Sequence, residues 1–273
     1  MEKIENQKGR KMIDYEVVEK ELNTEARNII LLIKEDYYQY MSQDKKRVLG
    51  ELLQNGNIVV VNQGASYFKD RTLAHGGRAL KDGKIHFYPD VRNFDTEKAI
   101  YVCQKLLIHE CLHYFIQPDA INLKDGLEKE MAGFYTEGLV EREARELHAR
   151  HKGQSVFEEA NYGYNICFVN KIQNELGASS YEVIFSEADY LSRIANYKAE
   201  YEAILKTRKE DLAILGEWAR KFPENLQRRI ANRIRTIALR NGGISGIEEK
   251  LASLQQSSPE NKEERKSSEF ERL

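Results

Sequence analysis

Cysteine is scarce in this chain, and its spacing gives no sign of a paired framework. The 273 residues contain three cysteines, Cys103, Cys111 and Cys167, and no CxxC motif. An odd number of widely spaced cysteines is atypical of a disulfide-stabilised secreted domain and is common in proteins of reducing compartments. The sequence therefore predicts free thiols and excludes a disulfide scaffold.

Long apolar segments are also missing. The N-terminal stretch MEKIENQKGRKMIDYEVVEKEL is charged and lacks the apolar core of a secretory signal. The most apolar runs, such as Ile29 to Ile33, are far shorter than the roughly 20 residues that cross a bilayer. We therefore expect a cytoplasmic protein with no membrane partner, and export by a route without such a signal is the alternative.

The chain carries no large excess of charge of either sign. Its 42 basic and 44 acidic residues give a formal net charge of −2, so composition gives no reason to expect nucleic acid as a partner. One predicted helix, from Arg220 to Arg240, is locally basic. A solvated face opposite a core stripe is the favoured interpretation, and docking of an acidic protein or nucleic acid on this helix is the alternative. The basic residues are Arg220, Lys221, Arg228, Arg229, Arg233, Arg235 and Arg240, and the apolar stripe is Leu226, Ile230, Ile234 and Ile237.

Enough apolar material is present for a sizeable core, because 41% of the residues are hydrophobic and 10% are aromatic. Helical spacing from Tyr15 to Leu53 predicts one or two amphipathic helices, which Gly56 closes. The β-branched run Ile58 to Val61 predicts a strand. Residues 74 to 88 predict a hairpin with its turn at Asp82-Gly83.

The second half of the chain is predicted to be helical. Asp95 or Thr96 can cap a helix that is apolar nearly all round and therefore buried, and Pro118 ends it. A second helix is expected from Asp125-Gly126 to about His151, and helical patterns continue to Leu239 with breaks near Gly177 and Pro223. The predicted organisation is an N-terminal helical segment at 1–55, a catalytic domain at 56–178, a C-terminal helical region at 179–255 and a disordered tail at 256–273.

The buried helix carries the motif His109-Glu110-Cys111-Leu112-His113. Two histidines four residues apart lie on one helix face, where both imidazoles can reach a single metal ion. Glu110 lies beside them, where its carboxylate can deprotonate a metal-bound water without binding the metal. Buried imidazole and carboxylate groups are costly without partners, so a metal site is favoured over two helix-face histidines that share this spacing by chance.

A catalytic zinc needs a third protein ligand and one open position. Glu137 on the next helix is the first choice, because Gly138 beside it would let two helices approach closely. Glu141, one turn further on the same face, could orient a ligand histidine. The alternative for both glutamates is a solvated face paired with nearby arginines. Asp119 is the rival ligand, although its motif lacks the glycine turn typical of that arrangement.

These residues resemble the zincin superfamily of zinc peptidases, and within it the thermolysin-like branch whose third ligand is a glutamate on the helix after HExxH. The resemblance covers roughly residues 56–170 and is carried by His109, Glu110, His113 and the phrase from Thr136 to Glu141. It implies an α+β fold, with a small twisted sheet over the HExxH helix, N-terminal and C-terminal helices at the flanks, and an edge strand that binds extended substrate. The hairpin at 74–88 is the candidate for that strand.

The same family often supplies a tyrosine or histidine that stabilises the oxyanion. Tyr162 and Tyr164 are the candidates for that role here, with ordinary packing as the alternative. His148 and His151 are interpreted as surface histidines near a helix end.

Together these observations predict a zinc-dependent hydrolase. The expected activity is cleavage of a peptide or protein substrate by a water that zinc binds and Glu110 activates, with one Zn²⁺ per chain. The alternative is a helical binding or regulatory protein that keeps a zincin-like scaffold without catalysis, and the C-terminal helices could contact a protein partner in either case. Glu110 favours the enzyme, because a purely structural zinc site would use cysteine or histidine at the fourth position.

Overall fold

The computed structural model of the chain describes residues 13–62, 77–79, 84–87, 95–115, 126–152, 162–176, 195–221 and 224–244. This part of the protein is mostly helical and contains one small sheet, in agreement with the predicted α+β class in outline. Within these ranges, no helix is both long enough and apolar enough to cross a membrane.

Seven α-helices and three short strands lie in the described ranges. Helix α1 spans Tyr15–Tyr37, α2 Gln43–Asn55, α3 Thr96–His113, α4 Gly126–Lys152, α5 Gly163–Leu176, α6 Lys198–Ala219 and α7 Glu224–Asn241. Short 3₁₀ turns at Tyr38–Tyr40 and Ala195–Tyr197 adjoin α1 and α6. Strand β1 spans Val59–Val61, β2 Gly77–Ala79 and β3 Ile85–Phe87.

Local capping signals explain where several helices begin and end. Asp14 caps α1 by accepting a hydrogen bond from the backbone N–H of Val17, and Asp95 caps α3 in the same way through Lys98. Gly56 ends α2 with a φ of 59°, a left-handed conformation that glycine adopts without steric cost. The predicted cap of α3 and the predicted closure at Gly56 are therefore confirmed.

The three strands form one sheet in the order β1-β3-β2. Strand β1 pairs in parallel with β3, with Val59 opposite Ile85, and β2 pairs antiparallel with β3, with Gly77 opposite Phe87. The antiparallel register is centred on position 82, as the predicted hairpin requires. The strand and the hairpin pairing are confirmed, and the turn residues Asp82 and Gly83 lie outside the described ranges.

The first of two compact units contains α1, α2, the sheet, α3 and the part of α4 from Arg142 onward. Helix α1 packs against α3 and β1 through a completely buried stripe, so it contributes directly to this unit's core. The stripe consists of Val18, Leu22, Ala26, Ile29, Ile30, Ile33 and Tyr37. The boundary predicted at residue 55 lies between elements that pack together within this unit, and the division of the chain at that residue stays a prediction.

The second unit contains α4 up to Glu141 together with α5, α6 and α7. Phe134 of α4, Phe168 of α5 and Tyr201 of α6 meet with ring centroids 5.3–5.9 Å apart. Helices α6 and α7 share an apolar cluster of Leu215, Ala219, Ile234, Ala238 and Ile244. Because Ile234 is buried and Ile237 packs on this cluster, the interpretation of α7 as a helix with a core stripe is supported at those two positions.

Several predicted features fall outside the described residues. They are the helix end at Pro118, the rival ligand Asp119, the break at Gly177 and the tail at 256–273. Helix α3 ends at His113, because the next two residues form tighter turns: the N–H groups of Tyr114 and Phe115 donate to the carbonyls of Cys111 and Leu112.

Candidate metal centre

The HExxH motif lies in the last turn and a half of α3. All six residues from 107 to 112 are buried, which means that this end of the helix is enclosed on every side. His113 is the last helical residue, so both imidazoles lie at the C-terminal end of the helix. The partial negative charge of a helix C-terminus favours a cation beside it.

The two imidazoles converge through the same ring atom. The Nε2 atoms of His109 and His113 are 3.1 Å apart, and the ring planes are inclined at 72°. Two nitrogen ligands on one tetrahedral zinc, each about 2.05 Å from the metal, are separated by roughly 3.3 Å. The observed spacing therefore fits a shared metal ion, and without metal the same distance allows one ring to donate a hydrogen bond to the other.

Glu137 completes a group of three side chains that could hold a metal ion. One ligand atom from each of His109, His113 and Glu137 lies within 4.8 Å of the others. It is the group of this kind found among the described residues, and its two imidazoles and one carboxylate are the donor set of known catalytic zinc sites. The predicted ligands are thus brought together, and the chemistry of these three donors fits a zinc ion.

Glu110 lies between the two histidines in sequence and is 8% exposed. Its carboxylate is therefore removed from most of the bulk water. Its burial also distinguishes it from Glu97, the other glutamate of α3, which is exposed. Glu110 is therefore the acidic residue of α3 that lies among the buried residues of the motif.

The helix that carries Glu137 is held against α5 by a close backbone approach. A Cβ atom at Gly138 would come within 2.5 Å of the backbone of Asn165, so the absence of a side chain permits this contact. The Asn165 side chain also donates a hydrogen bond of 2.9 Å to the carbonyl of Phe134. Gly138 is therefore a point of close approach between two helices, and the neighbouring helix is α5.

Glu141 is completely buried, one turn after Glu137. A solvated face, which was the alternative for this residue, is excluded by that burial. A fully enclosed carboxylate needs polar or cationic neighbours, and a histidine bound to metal provides one. The role of Glu141 in orienting a ligand histidine stays a prediction.

The two tyrosine candidates differ in their surroundings. The Tyr164 hydroxyl donates a hydrogen bond of 2.6 Å to Oδ2 of Asp211, and burial together with this bond raises the pKa of Tyr164. While that bond holds, the Tyr164 proton is engaged elsewhere and does not serve an oxyanion. Tyr162 is partly exposed just before α5 begins, and it is now the better of the two candidates.

The remaining candidate residues are not part of the metal group. The Cys111 thiol is fully buried, and burial, followed by the charge of Glu110, raises its pKa, so it stays protonated and a poor metal ligand. All three cysteines are free, as predicted. His151 contacts Asp36 at 3.1 Å near the end of α4, in agreement with a surface role.

One buried polar residue had no counterpart in the sequence interpretation. Glu143 is completely buried on α4, and its partner Tyr37 is 106 residues away in sequence. A glutamate among the many charges of this helix carries no local sign of burial.

Comparison of the chain with protein-family models, with curated proteins and with solved structures gives no match. The likeness to zincins accordingly stays an expectation carried by the motif residues, and it enters the function only as a proposal.

Proposed function

We propose that this protein is a zinc-dependent hydrolase that cleaves peptide bonds in a peptide or protein substrate. The observation that carries the proposal is the convergence of His109, His113 and Glu137, with ligand atoms within 4.8 Å of one another, beside the buried carboxylate of Glu110. A nitrogen, nitrogen and oxygen donor set with one position to spare is typical of catalytic rather than structural zinc. The proposed location is the cytoplasm.

Each residue of the site has a separate role in the proposed hydrolysis. Zinc supplies a Lewis acid and makes water available as a nucleophile near neutral pH. Glu110 accepts the proton of the attacking water on its carboxylate as the new C–O bond forms. Glu110 then returns this proton to the departing nitrogen as the C–N bond breaks, so the carboxylate ends in its starting state. His109, His113 and Glu137 hold the ion in place throughout.

The first test of this proposal is metal content. The purified protein is expected to hold about one zinc per chain, and His109→Ala or His113→Ala is expected to remove it because either change leaves two ligands. Elemental analysis of wild type and variants measures this directly. Zinc retained at the wild-type level in both variants would place any metal elsewhere and overturn the assignment.

The second test separates catalysis from metal binding. Glu110→Gln keeps the shape of the side chain and removes the base, so zinc and fold should remain while hydrolysis falls about a hundred- to ten-thousand-fold. The matched control is Glu97→Gln, the same change at an exposed position of α3, which should leave activity unchanged. A broad peptide library, assayed with and without a zinc chelator, provides the readout. Chelator-sensitive hydrolysis that persists in Glu110→Gln would favour a different base, and a zinc-loaded wild type inactive on every peptide would favour the scaffold alternative.

A further inference from the structure

A buried carboxylate on α4 is not used by the proposed chemistry. Glu143 has no exposed surface, and both of its oxygens are engaged: Oε2 accepts from the Tyr37 hydroxyl at 3.2 Å, and Oε1 accepts from Nη2 of Arg142 at 3.2 Å. Burial of a carboxylate is costly unless such bonds offset the loss of hydration. A leucine or methionine would fill the same space without that cost, so the polar contact calls for a reason beyond stability.

Tyr37 joins Glu143 to a wider group of polar contacts. Its hydroxyl accepts a bond of 2.5 Å from Nη2 of Arg150 while it donates to Glu143. Burial, reinforced by the charge of Glu143, raises the pKa of Tyr37, so the phenol keeps the proton that it donates. Asp36 beside it accepts from Nε of Arg150 at 2.9 Å and contacts His151 at 3.1 Å. We name this group, Asp36, Tyr37, Glu143, Arg150 and His151, the α1–α4 clasp.

The clasp joins the end of α1 to the last ten residues of α4, and α1 in turn packs along α3. Helix α3 carries the two histidines, and α4 carries Glu137 six residues before Glu143 in the same unbroken helix. Six helical residues span about 9 Å, and a slip of one residue would move Glu137 along the axis by about 1.5 Å and rotate it by about 100°. Metal–ligand distances tolerate only about 0.2 Å.

We propose that Tyr37 and Glu143 are positioning residues that set the rotation and register of α4, so that Glu137 meets His109 and His113 at the metal. Directional bonds to a buried carboxylate allow one register, whereas apolar packing accepts several, and the setting of register is the best-attested use of buried polar contacts. This inference rests on the proposed metal group but not on hydrolysis, because its consequence is the affinity and geometry of metal binding.

The test replaces the polar pair by groups of similar shape. In the double variant Tyr37→Phe, Glu143→Met the ring and an unbranched side chain remain, while both polar groups are removed. The arginines keep carboxylate partners, because Arg142 lies 3.9 Å from Glu146 and Arg150 lies 2.9 Å from Asp36. Tyr38→Phe, one residue along and exposed, is the matched control. The single variant Tyr37→Phe tests the same bond if the double variant does not fold.

Three quantities are measured on the full chain: zinc affinity by competition with a chromophoric chelator, the visible spectrum of the Co²⁺-substituted protein, and the melting temperature of the metal-free protein. We expect zinc affinity to fall about tenfold or more and the Co²⁺ spectrum to change, because the ligand set is displaced. The melting temperature of the metal-free variant should stay close to that of Tyr38→Phe, since apolar replacement of a buried polar pair is often neutral.

The possible outcomes separate the two proposals. If the double variant or Tyr37→Phe folds and keeps the zinc affinity and the Co²⁺ spectrum of the wild type, the positioning role is overturned. This holds whether or not the melting temperature falls. A wild type that binds zinc but hydrolyses nothing would overturn the proposed activity and leave the positioning role standing. A wild type that binds no zinc would overturn both.

Discussion

Single residues in the last turns of α3 combine properties that rarely occur together. His109 and Glu110 are 5% and 8% exposed, and they are adjacent polar groups in an otherwise apolar helix segment. Each would cost stability if it lay there without a partner. In the proposed site, a metal ion would be one partner of the imidazole, and a water bound to that ion would be one partner of the carboxylate. Burial therefore has two effects: it makes these polar groups costly to the stability of the fold, and it strengthens their electrostatic interactions with any group bound beside them.

The identity of the third ligand can be tested by a series of three alanine variants. Glu137→Ala should weaken zinc binding most, because it removes a ligand. Glu141→Ala should weaken it about ten- to a hundredfold, as expected for a group that orients a ligand, and Asp119→Ala should change it little. Chelator competition gives the three affinities. If Asp119→Ala were the most damaging, the glutamate-ligand assignment would be wrong and Asp119 would take its place.

At the level of elements, α1 covers the free edge of β1. The Asn23 side chain accepts hydrogen bonds from the backbone N–H groups of Ile58, at 2.6 Å, and Val59, at 2.8 Å. It also donates a hydrogen bond of 2.9 Å to the Val59 carbonyl. The Glu19 carboxylate accepts a hydrogen bond of 2.8 Å from the N–H of Val61. Side chains of a helix thus provide the bonds that a fourth strand would provide. An unpaired strand edge is a site for unwanted pairing, so this arrangement closes one side of the sheet.

This coverage predicts a loss of stability in Asn23→Leu. Leucine has a similar size but leaves two N–H groups and one carbonyl of β1 without a partner, and each unsatisfied group costs about 1–3 kcal/mol, reduced where water can enter. We expect a total loss of about 2–4 kcal/mol in the free energy of unfolding, measured by denaturant titration. Asn28→Leu, the same change at an exposed position of α1, is the control. Equal losses in both variants would show that the bonds to β1 do not contribute.

Local signals predicted the elements, and distant contacts could not be predicted in the same way. The caps at Asp95 and Gly56 and the antiparallel pairing of β2 with β3 involve residues close in sequence, so composition and spacing predicted them. The bond from Asn23 to Val59 spans 36 residues and that from Tyr37 to Glu143 spans 106. Nothing in the neighbourhood of either residue indicates its partner, because that choice depends on how the helices pack.

The metal group was predictable because its chemistry restricts it. Two histidines at helical spacing with a glutamate between them have few uses other than binding metal, and Glu137 was the acid that the next helix offered near a glycine. The packing of α1 against α3 and β1 could not be predicted. The apolar stripe of α1 follows from helical periodicity, but the sequence does not show which elements the stripe contacts. For that reason the predicted catalytic domain does not include α1.

For the molecule as a whole, the ligands belong to two helices that are separate in sequence, so metal binding should be linked to folding. We expect zinc to bind the folded chain, in which the three ligand atoms lie within 4.8 Å of one another, and to bind the unfolded chain much more weakly. A ligand present at a thousand times its Kd stabilises the folded state by about 4 kcal/mol. For a chain of this size, that corresponds to a rise in melting temperature of roughly 10 °C.

Removal of zinc by a chelator should therefore lower the melting temperature of the wild type by roughly that amount, and added zinc should restore it. The experiment needs a control for effects of the chelator itself. His113→Ala provides one, because it lacks a ligand and should melt at the same temperature with or without chelator, close to the metal-free wild type. Replacement of a partly buried imidazole by alanine costs little packing by itself, so the two metal-free proteins should be comparable. Differential scanning calorimetry measures all four samples. The contrary result would be a wild type that elemental analysis finds loaded with zinc but whose melting temperature does not change with the chelator. Zinc would then bind the unfolded chain as well as the folded chain, and folding would not be what brings the three ligands together.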